Sequence, residues 1–161
     1  MDYITGLDGN DNLFGLGTLL GGGGDDFLST GRPRMPTSDD TLDGGPGTDW
    51  AYFGKESSGV TADLALDTAS GELVGNDRIL NIENVEGSNQ FNDVIFGDDQ
   101  NNILDGGAQG EDVLVGRGGD DVLSGHTGSD ALDGGPGTDS LYGGASADRC
   151  VHGEVLSSCQ S

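Results

Sequence analysis

The sequence predicts an all-β fold, a solenoid of short strands joined by glycine-rich turns. Two observations predict it. An Asp followed two residues later by an aliphatic residue recurs every nine positions, and 32 of the 161 residues are glycine. Self-similarity at a short fixed period is typical of solenoids, in which each repeat stacks on its neighbours. Glycine suits tight turns because it accepts positive backbone φ angles.

The repeats fall into two blocks. Four units follow one another without a gap at 116–124, 125–133, 134–142 and 143–151, and less regular copies precede them at 88–96, 97–105 and 106–115. Clear N-terminal copies lie at 6–14, 21–29 and 44–52, and a weaker one ends in Asp40-Thr41-Leu42. We therefore expect an N-terminal repeat block over 1–52 and a C-terminal repeat block over 88–151.

Two segments interrupt the period. Residues 30–38 hold two of the four prolines and are interpreted as a loop. Residues 53–87 are a longer insertion, in which the alternating patterns of 60–66 and 77–85 each predict a strand. Nothing in the chain has a convincing helical period. The last residues, 152–161, are expected to form a terminal cap.

The negative charge of the chain argues against nucleic acid as a partner and calls for positive charge from outside the chain. Six basic residues against 29 acidic ones give a formal net charge of −23, so nucleic acid is a poor partner. The compensating charge must come from solution. No apolar run reaches about 18 residues, so no transmembrane segment is expected.

Each nine-residue unit divides into a turn and a strand. The last three residues form a strand whose middle side chain points inward, as expected for Leu13, Leu28, Leu114, Leu123, Leu132 and Leu141. The first six then form the turn, where glycines let peptide carbonyls converge beside the Asp at position six. Carbonyl and carboxylate oxygens are the ligands of Ca²⁺, which takes six to eight of them. One turn supplies too few oxygens, so a site must be shared between turns.

The unit, of the form GGxGxDxUx with U aliphatic, resembles the RTX (haemolysin-type) calcium-binding nonapeptide-repeat family. The resemblance implies a right-handed parallel β-roll in which two nonapeptides make one coil. Each of several Ca²⁺ ions then lies between repeats n and n+2. The implied pairs are Asp11 with Asp26, Asp26 with Asp49, Asp93 with Asp112, Asn102 with Asp121, Asp112 with Asp130, Asp121 with Asp139, and Asp130 with Asp148.

The candidate ligands are therefore the residues at position six and the turn carbonyls. The side chains are those of Asp11, Asp26, Asp40, Asp49, Asp93, Asn102, Asp112, Asp121, Asp130, Asp139 and Asp148. The backbone carbonyls are those of Gly116, Gly118, Gly125, Thr127, Gly134, Pro136 and Gly143. The aspartates at position nine, Asp43, Asp105 and Asp133, are interpreted as surface charge.

Calcium is expected to drive folding. Without it, rows of aspartates about 5 Å apart repel one another, and a thin aliphatic core cannot offset the ordering entropy. Affinities near 10⁻⁴–10⁻³ M, typical of extracellular modules, would leave the sites empty in a cytosol and filled outside it. The resemblance therefore implies a secreted, extracellular protein.

Cys150 and Cys159 lie nine residues apart near the end of the chain. They predict one disulfide closing a short terminal loop, which is also typical of oxidising compartments. Free thiols are the less favoured alternative. Their position suggests that the disulfide limits fraying where the repeats end.

No enzyme is predicted, because the chain has neither HExxH nor GxSxG. His126 and His152 have no second His or Cys at metal-ligand spacing. Phe14, Tyr52, Phe96 and Tyr142 share position nine, and Trp50 occupies position seven. Either the 53–87 insertion folds over these aromatic residues, or the insertion and an exposed aromatic stripe bind a protein or polysaccharide partner, in an adhesion module that calcium only stiffens. The sequence leaves this choice open.

Overall fold

The computed structural model describes residues 2–30 and 38–159. Within them the chain is built from short strands and a single 3-10 turn, Leu64–Leu66. The all-β prediction is confirmed. The strands are β1 Asp2–Asp8, β2 Asn12–Phe14, β3 Gly17–Gly23, β4 Phe27–Ser29, β5 Thr41–Asp43, β6 Trp50–Tyr52, β7 Thr61–Asp63, β8 Thr68–Gly71, β9 Gly75–Leu80, β10 Asn84–Glu86, β11 Val94–Phe96, β12 Ile103–Asp105, β13 Val113–Val115, β14 Val122–Ser124, β15 Ala131–Asp133, β16 Ser140–Tyr142, β17 Arg149–Val151 and β18 Val155–Ser157.

The strands form two sheets that face each other across the core. The ten-stranded sheet runs β1-β3-β5-β9-β8-β7-β11-β13-β15-β17, and the eight-stranded sheet runs β2-β4-β6-β10-β12-β14-β16-β18. Along the regular repeats the chain alternates between the sheets, so each strand pairs in parallel with the strand two repeats away. This is a parallel β-solenoid of about eight turns, as the resemblance implied.

Aliphatic side chains stack inside the solenoid, one from each three-residue strand from β2 to β16. Leu123 pairs in register with Leu104 on one side and with Leu141 on the other, and all three are fully buried. The flanking residues of each strand face outward, as the period of two requires. The predicted inward leucines of the regular repeats are confirmed as core residues.

The insertion takes part in both sheets. Strand β10 lies in the eight-stranded sheet between β6 and β12. Strands β7, β8 and β9 form a meander in the other sheet, in which β8 is antiparallel to both neighbours. β9 pairs in parallel with β5, and β7 with β11. The two repeat blocks are therefore joined by continuous hydrogen-bonded sheets.

The two strands predicted within the insertion need correction. The 60–66 pattern is a strand only over Thr61–Asp63 and then continues as the 3-10 turn. The 77–85 pattern spans parts of two strands on different sheets, because Asn81 adopts a left-handed φ of 50° and turns the chain between them.

Only six residues, 15–20, separate the N-terminal units 6–14 and 21–29, where a regular repeat has nine. Longer strands accommodate this shorter spacing. β1 and β3 are seven residues each and pair in parallel from Asp2↔Gly17 to Asp8↔Gly23. Only Gly15 and Leu16 connect β2 to β3. The turn is therefore shorter than in a regular repeat, while the sheet continues without a break.

The disulfide joins Cys150 and Cys159, with Cα atoms 5.6 Å apart. Cys150 lies in β17, and the bridge encloses β18, the last strand of the eight-stranded sheet. Both cysteines pack against the hydrophobic core. Across the described residues, no helix has the length and apolarity needed to cross a membrane.

Candidate metal-binding turns

The turns of the solenoid form two rows, one along each edge where the sheets meet. The first turn row leads from the ten-stranded to the eight-stranded sheet, and the residues at its position six are Asp11, Asp26, Asp49, Glu83, Asn102, Asp121, Asp139 and Glu154. The second turn row leads back and carries Asp40, Asp93, Asp112, Asp130 and Asp148. The acidic side chains are thus stacked coil upon coil.

Backbone hydrogen bonds connect the stacked residues within each row. The N–H of Asp121 donates to Asp139 Oδ1 at 2.9 Å, and the N–H of Asp112 donates to Asp130 Oδ1 at 2.8 Å. All seven pairs expected from the resemblance are brought together in this way, with N···O distances between 2.7 and 3.0 Å. One carboxylate oxygen of each pair is therefore used for coil stacking.

The second carboxylate oxygen is unpaired in most turns. Nine Oδ2 atoms are buried without a hydrogen-bond partner among the described residues, those of Asp11, Asp26, Asp49, Asp77, Asp112, Asp121, Asp130, Asp139 and Asp148. Buried polar atoms are almost always paired, and a buried charge is costly unless it is compensated. A bound cation would supply the missing partner.

Glycine at position one leaves space beside each free oxygen except that of Asp77. A Cβ atom built on Gly143 would lie 2.7 Å from Asp148 Oδ2 and 2.8 Å from the carbonyl oxygen of Ser158. A Cβ on Gly116 would lie 2.6 Å from the carbonyl oxygen of Gly134 in the next coil, and closer still to Asp121 Oδ2. The space thus faces one carboxylate oxygen and at least one carbonyl oxygen.

Burial shifts the titration of these carboxylates. Desolvation raises the pKa of Asp49, Asp93 and Asp121 to about 6 and that of Asp77 and Asp112 to about 7, although backbone N–H donors oppose the shift. The pKa of Asp130 is raised for the same reason. The charged form is therefore disfavoured in the protein alone, and a bound cation would favour it.

The donor set indicates which cation fits. No cluster of three or more His, Cys, Asp or Glu side chains suited to a metal occurs in residues 2–30 and 38–159. Any ion in these turns would be held mainly by carbonyl oxygens and a carboxylate. Such hard oxygen ligands suit Ca²⁺ and lack the nitrogen and sulfur atoms that zinc prefers.

Comparison with known families agrees with this geometry. The sequence profile of the RTX calcium-binding nonapeptide repeat (4 copies) matches residues 2–17, 18–32, 37–56, 88–110, 107–141 and 124–154, well over half of the chain. The chain belongs to the RTX calcium-binding repeat family. The RTX family is a structural calcium-binding module and not an enzyme family. A search of curated proteins found no significant match.

Two of the carbonyl oxygens expected as ligands face the space in the RTX turns. The Gly116 carbonyl lies beside the position of a Cβ on Gly97, and the Gly134 carbonyl lies beside that of Gly116. The Thr127 carbonyl accepts a hydrogen bond from the Gly110 N–H at 3.1 Å. The carbonyls expected from the remaining residues stay predictions, namely those of Gly118, Gly125, Pro136 and Gly143.

Three of the expected ligands differ from the other RTX turns, because protein donors already pair their side chains. The Ser38 hydroxyl donates to Asp40 Oδ2 at 2.8 Å, and most of the residues before Asp40 lie outside the described part. Ser88 donates its N–H to Asp93 Oδ2 at 2.8 Å. The side chain of Asn102 both accepts and donates a hydrogen bond.

Three further acidic residues stack with the RTX rows, although the repeat pattern did not predict them. Asp77 Oδ1 accepts the Asp40 N–H, Glu83 accepts the Asp49 N–H, and Glu154 accepts the Asp139 N–H. Each is followed two residues later by an aliphatic side chain, in DRI, ENV and EVL. That spacing is the signal in the sequence, but the GGxGx turn of the repeat does not precede any of them.

The aspartates at position nine pair on the outer surface. Asp105 lies 2.9 Å from His126 Nε2, and Asp133 lies 2.7 Å from His152 Nδ1. Asp43 accepts a 2.7 Å hydrogen bond from Asn81. In each pair the partner follows the neighbouring strand of the sheet and has a positive φ. These acids therefore link adjacent coils from outside.

A second outer contact joins the insertion to the C-terminal RTX block. The Arg117 guanidinium donates to both oxygens of Asp63 at 2.8 Å and covers the Phe96 ring at 5.3 Å from its centroid. This hydrogen bonding lowers the pKa of Asp63. A bidentate Arg–carboxylate pair fixes orientation as well as charge.

Proposed function

We propose that this RTX domain folds on binding several Ca²⁺ ions in its two turn rows, as a module of a secreted protein. The unpaired Oδ2 atoms carry the proposal. They are buried, all but that of Asp77 stand beside a glycine, and five of them recur every nine residues from Asp112 to Asp148. A divalent cation would supply the missing partner for each.

The turn between Asp121 and the next coil illustrates the arrangement. Asp121 would contribute its free Oδ2, and Gly134 its carbonyl oxygen. Because these two groups belong to different coils, an ion between them ties the coils together. Binding free energy then becomes folding free energy, and stacking of coil on coil makes folding cooperative.

Export is consistent with these features. Extracellular calcium modules typically have affinities near 10⁻⁴–10⁻³ M, too weak to fill at cytosolic calcium levels. The Cys150–Cys159 disulfide is of a kind that persists in oxidising compartments. The domain would therefore leave the cell unfolded and fold on reaching calcium outside.

Replacing Asp121 by Asn tests the proposed ligand role. Asn102 shows that an amide at position six is compatible with the fold, so Asp121→Asn can keep the hydrogen bond to the Asn102 N–H while losing the charge. We expect Asp121→Asn to bind fewer Ca²⁺ ions, with the midpoint of calcium-induced folding raised severalfold. Equilibrium dialysis with ⁴⁵Ca²⁺ and circular dichroism measure the two effects.

Asp120→Asn is the matched control. Asp120 is exposed, and its Oδ1 accepts the Thr138 N–H, a bond that an Asn oxygen can also accept, as Asn101 does one coil earlier. The charge change is identical and one residue away. Equal losses of bound calcium in the two variants would indicate a general charge effect and would count against a site at Asp121.

An adhesion role is the second candidate, supported by an aromatic cluster on the eight-stranded sheet. Phe27 lies 6.3 Å from Phe14 and 4.9 Å from Tyr52, measured between ring centroids, and Phe14 is 50% exposed. Lys55 lies over the Phe14 ring, so the insertion covers part of this cluster. The aromatic residues do not form one stripe, because Phe96 lies on the other sheet.

Phe14→Ser tests the adhesion role with little risk to the fold, since the Phe14 side chain lies on the outer face. If the cluster binds a protein or polysaccharide partner, adhesion to cells or polymer-coated surfaces falls severalfold while calcium-dependent folding is unchanged. Tyr142→Ser, exposed on the same sheet far from the cluster, is the control. Unchanged adhesion in Phe14→Ser would count against this role.

A further inference from the structure

We propose that residues 53–105, the central segment, keep their structure without calcium and separate two calcium-dependent blocks. The inference rests on the proposed function and corrects it at two expected ligands, Asp93 and Asn102. The central segment comprises the insertion and the first two units of the C-terminal block. Its contacts differ from those of the blocks in three respects.

First, protein donors complete the turn around Asp93. Asp93 Oδ1 accepts the Val60 N–H, and Asp93 Oδ2 accepts the Ser88 N–H at 2.8 Å. The Ser88 hydroxyl adds a third donor at 2.9 Å from Oδ2. In Asp112, one coil further along the same row, Oδ2 has no such partner. Asp93 thus has no need of a cation, and the Ser88 donors occupy the face that a cation would use.

Second, an amide closes the corresponding turn of the other row. Asn102 Oδ1 accepts the Asp98 N–H at 2.8 Å, and Asn102 Nδ2 donates to the Glu83 carbonyl at 2.9 Å. The donor Nδ2 takes up a carbonyl oxygen of the neighbouring coil. Because an NH₂ group repels a cation, this turn is closed by hydrogen bonds within the protein.

The two rows are therefore interrupted in the same part of the solenoid. In the first row, Glu83 is the last residue of a turn of only three residues, 81–83. In the second row, Val60 stands before β7 where a regular repeat has its aspartate. Of the nine unpaired Oδ2 atoms, only that of Asp77 belongs to the central segment, and it lies in β9 rather than in a glycine turn.

Third, the central segment holds a disproportionate share of the apolar core. It contributes eleven of the twenty buried hydrophobic residues among those described, namely Phe53, Val60, Ala62, Leu64, Ala69, Val74, Ile79, Ile82, Val85, Ile95 and Leu104. The antiparallel meander β7–β9 adds contacts between residues close in sequence. The chain loses little entropy when such local contacts form. This segment can thus order before the blocks do.

Hydrogen–deuterium exchange on the whole chain tests the proposal. In calcium-free buffer at pH 7.5, we expect peptides within 60–96 to exchange at least tenfold more slowly than peptides of the two blocks. Adding 10 mM Ca²⁺ should then protect the blocks 9–29 and 106–148 strongly and change the central segment little. The readout is protection along the chain and needs no assay of activity.

The possible contrary results of this experiment contradict different proposals. Uniformly fast exchange without calcium, followed by uniform protection with it, would contradict the proposed calcium-independent structure of the central segment. It would leave the proposal of calcium-driven folding intact. Protection of the blocks that does not respond to calcium would instead contradict the proposed function. Slow exchange over the whole calcium-free chain would overturn both.

Ser88→Ala, with Ser129→Ala as control, tests the closed turn itself. Removal of the Ser88 hydroxyl should speed calcium-free exchange of peptides near 84–96 at least about fivefold, the equivalent of one hydrogen bond. The number of bound ions should stay the same. Ser129 is exposed in a regular turn, so its substitution should change neither quantity. Unchanged exchange in Ser88→Ala would refute the role assigned to the Ser88–Asp93 contact.

Discussion

Removing calcium from the folded domain should abolish the β-structure of the repeats on both sides of the central segment, within 1–52 and 106–151. At 10 mM Ca²⁺, a site with an affinity of 10⁻⁴–10⁻³ M stabilises the fold by about 1.4–2.7 kcal/mol. Five such sites in the C-terminal block would contribute about 7–14 kcal/mol, as much as the whole net stability of an ordinary domain. Without the ions, the blocks keep only one inward aliphatic residue per repeat to offset their ordering entropy.

Far-UV circular dichroism measures this effect. Chelator-treated protein should show a mainly coil spectrum, and titration with Ca²⁺ to about 10 mM should restore the β spectrum in a cooperative transition. Mg²⁺ is the control, because it prefers a smaller octahedral shell and gives up its waters reluctantly. A β spectrum that is complete in chelator and indifferent to calcium would leave the repeats as a purely structural solenoid.

The regular repeats could be predicted from the sequence because all the features of one repeat lie close together in the chain. In the unit 116–124, the turn glycines, Asp121 and the inward Leu123 all lie within nine residues. Their spacing therefore encodes turn, carboxylate and core together. The pairing of Asp121 with Asp139 followed from the coil length that the family resemblance implied, and the structure has this pair.

The central segment was harder to predict because its structure depends on contacts distant in sequence. Asp77 takes its place in the second row by pairing with Asp40, 37 residues earlier. The unit 88–96 has Ser88 where a regular unit has glycine, and the Ser88 hydroxyl donates hydrogen bonds to the Asp93 carboxylate. The sequence shows this serine, but only the structure shows that its hydroxyl lies against the carboxylate.

Mild acid should partly replace calcium in stabilising the fold. In an unfolded chain, aspartates titrate near pH 3.9, whereas in the fold the pKa of Asp121 is about 6 and that of Asp112 about 7. Between pH 4 and 7 the folded state therefore binds more protons than the unfolded state. By linkage, the stability of the calcium-free fold is greatest at the acid end of this range and falls as pH rises through 6–7.

The measurement is circular dichroism of calcium-free protein, prepared by chelating resin, between pH 5 and 7.5. More β-structure is expected at pH 5, which still lies above the sequence pI of about 4.1 and so limits precipitation. The affinity for calcium should show the opposite dependence and fall at low pH, because the ligands must be deprotonated to bind the ion. The calcium concentration needed for folding should therefore change with pH. Loss of β-structure on acidification of the calcium-free protein would show that these aspartates are not desolvated in its folded state.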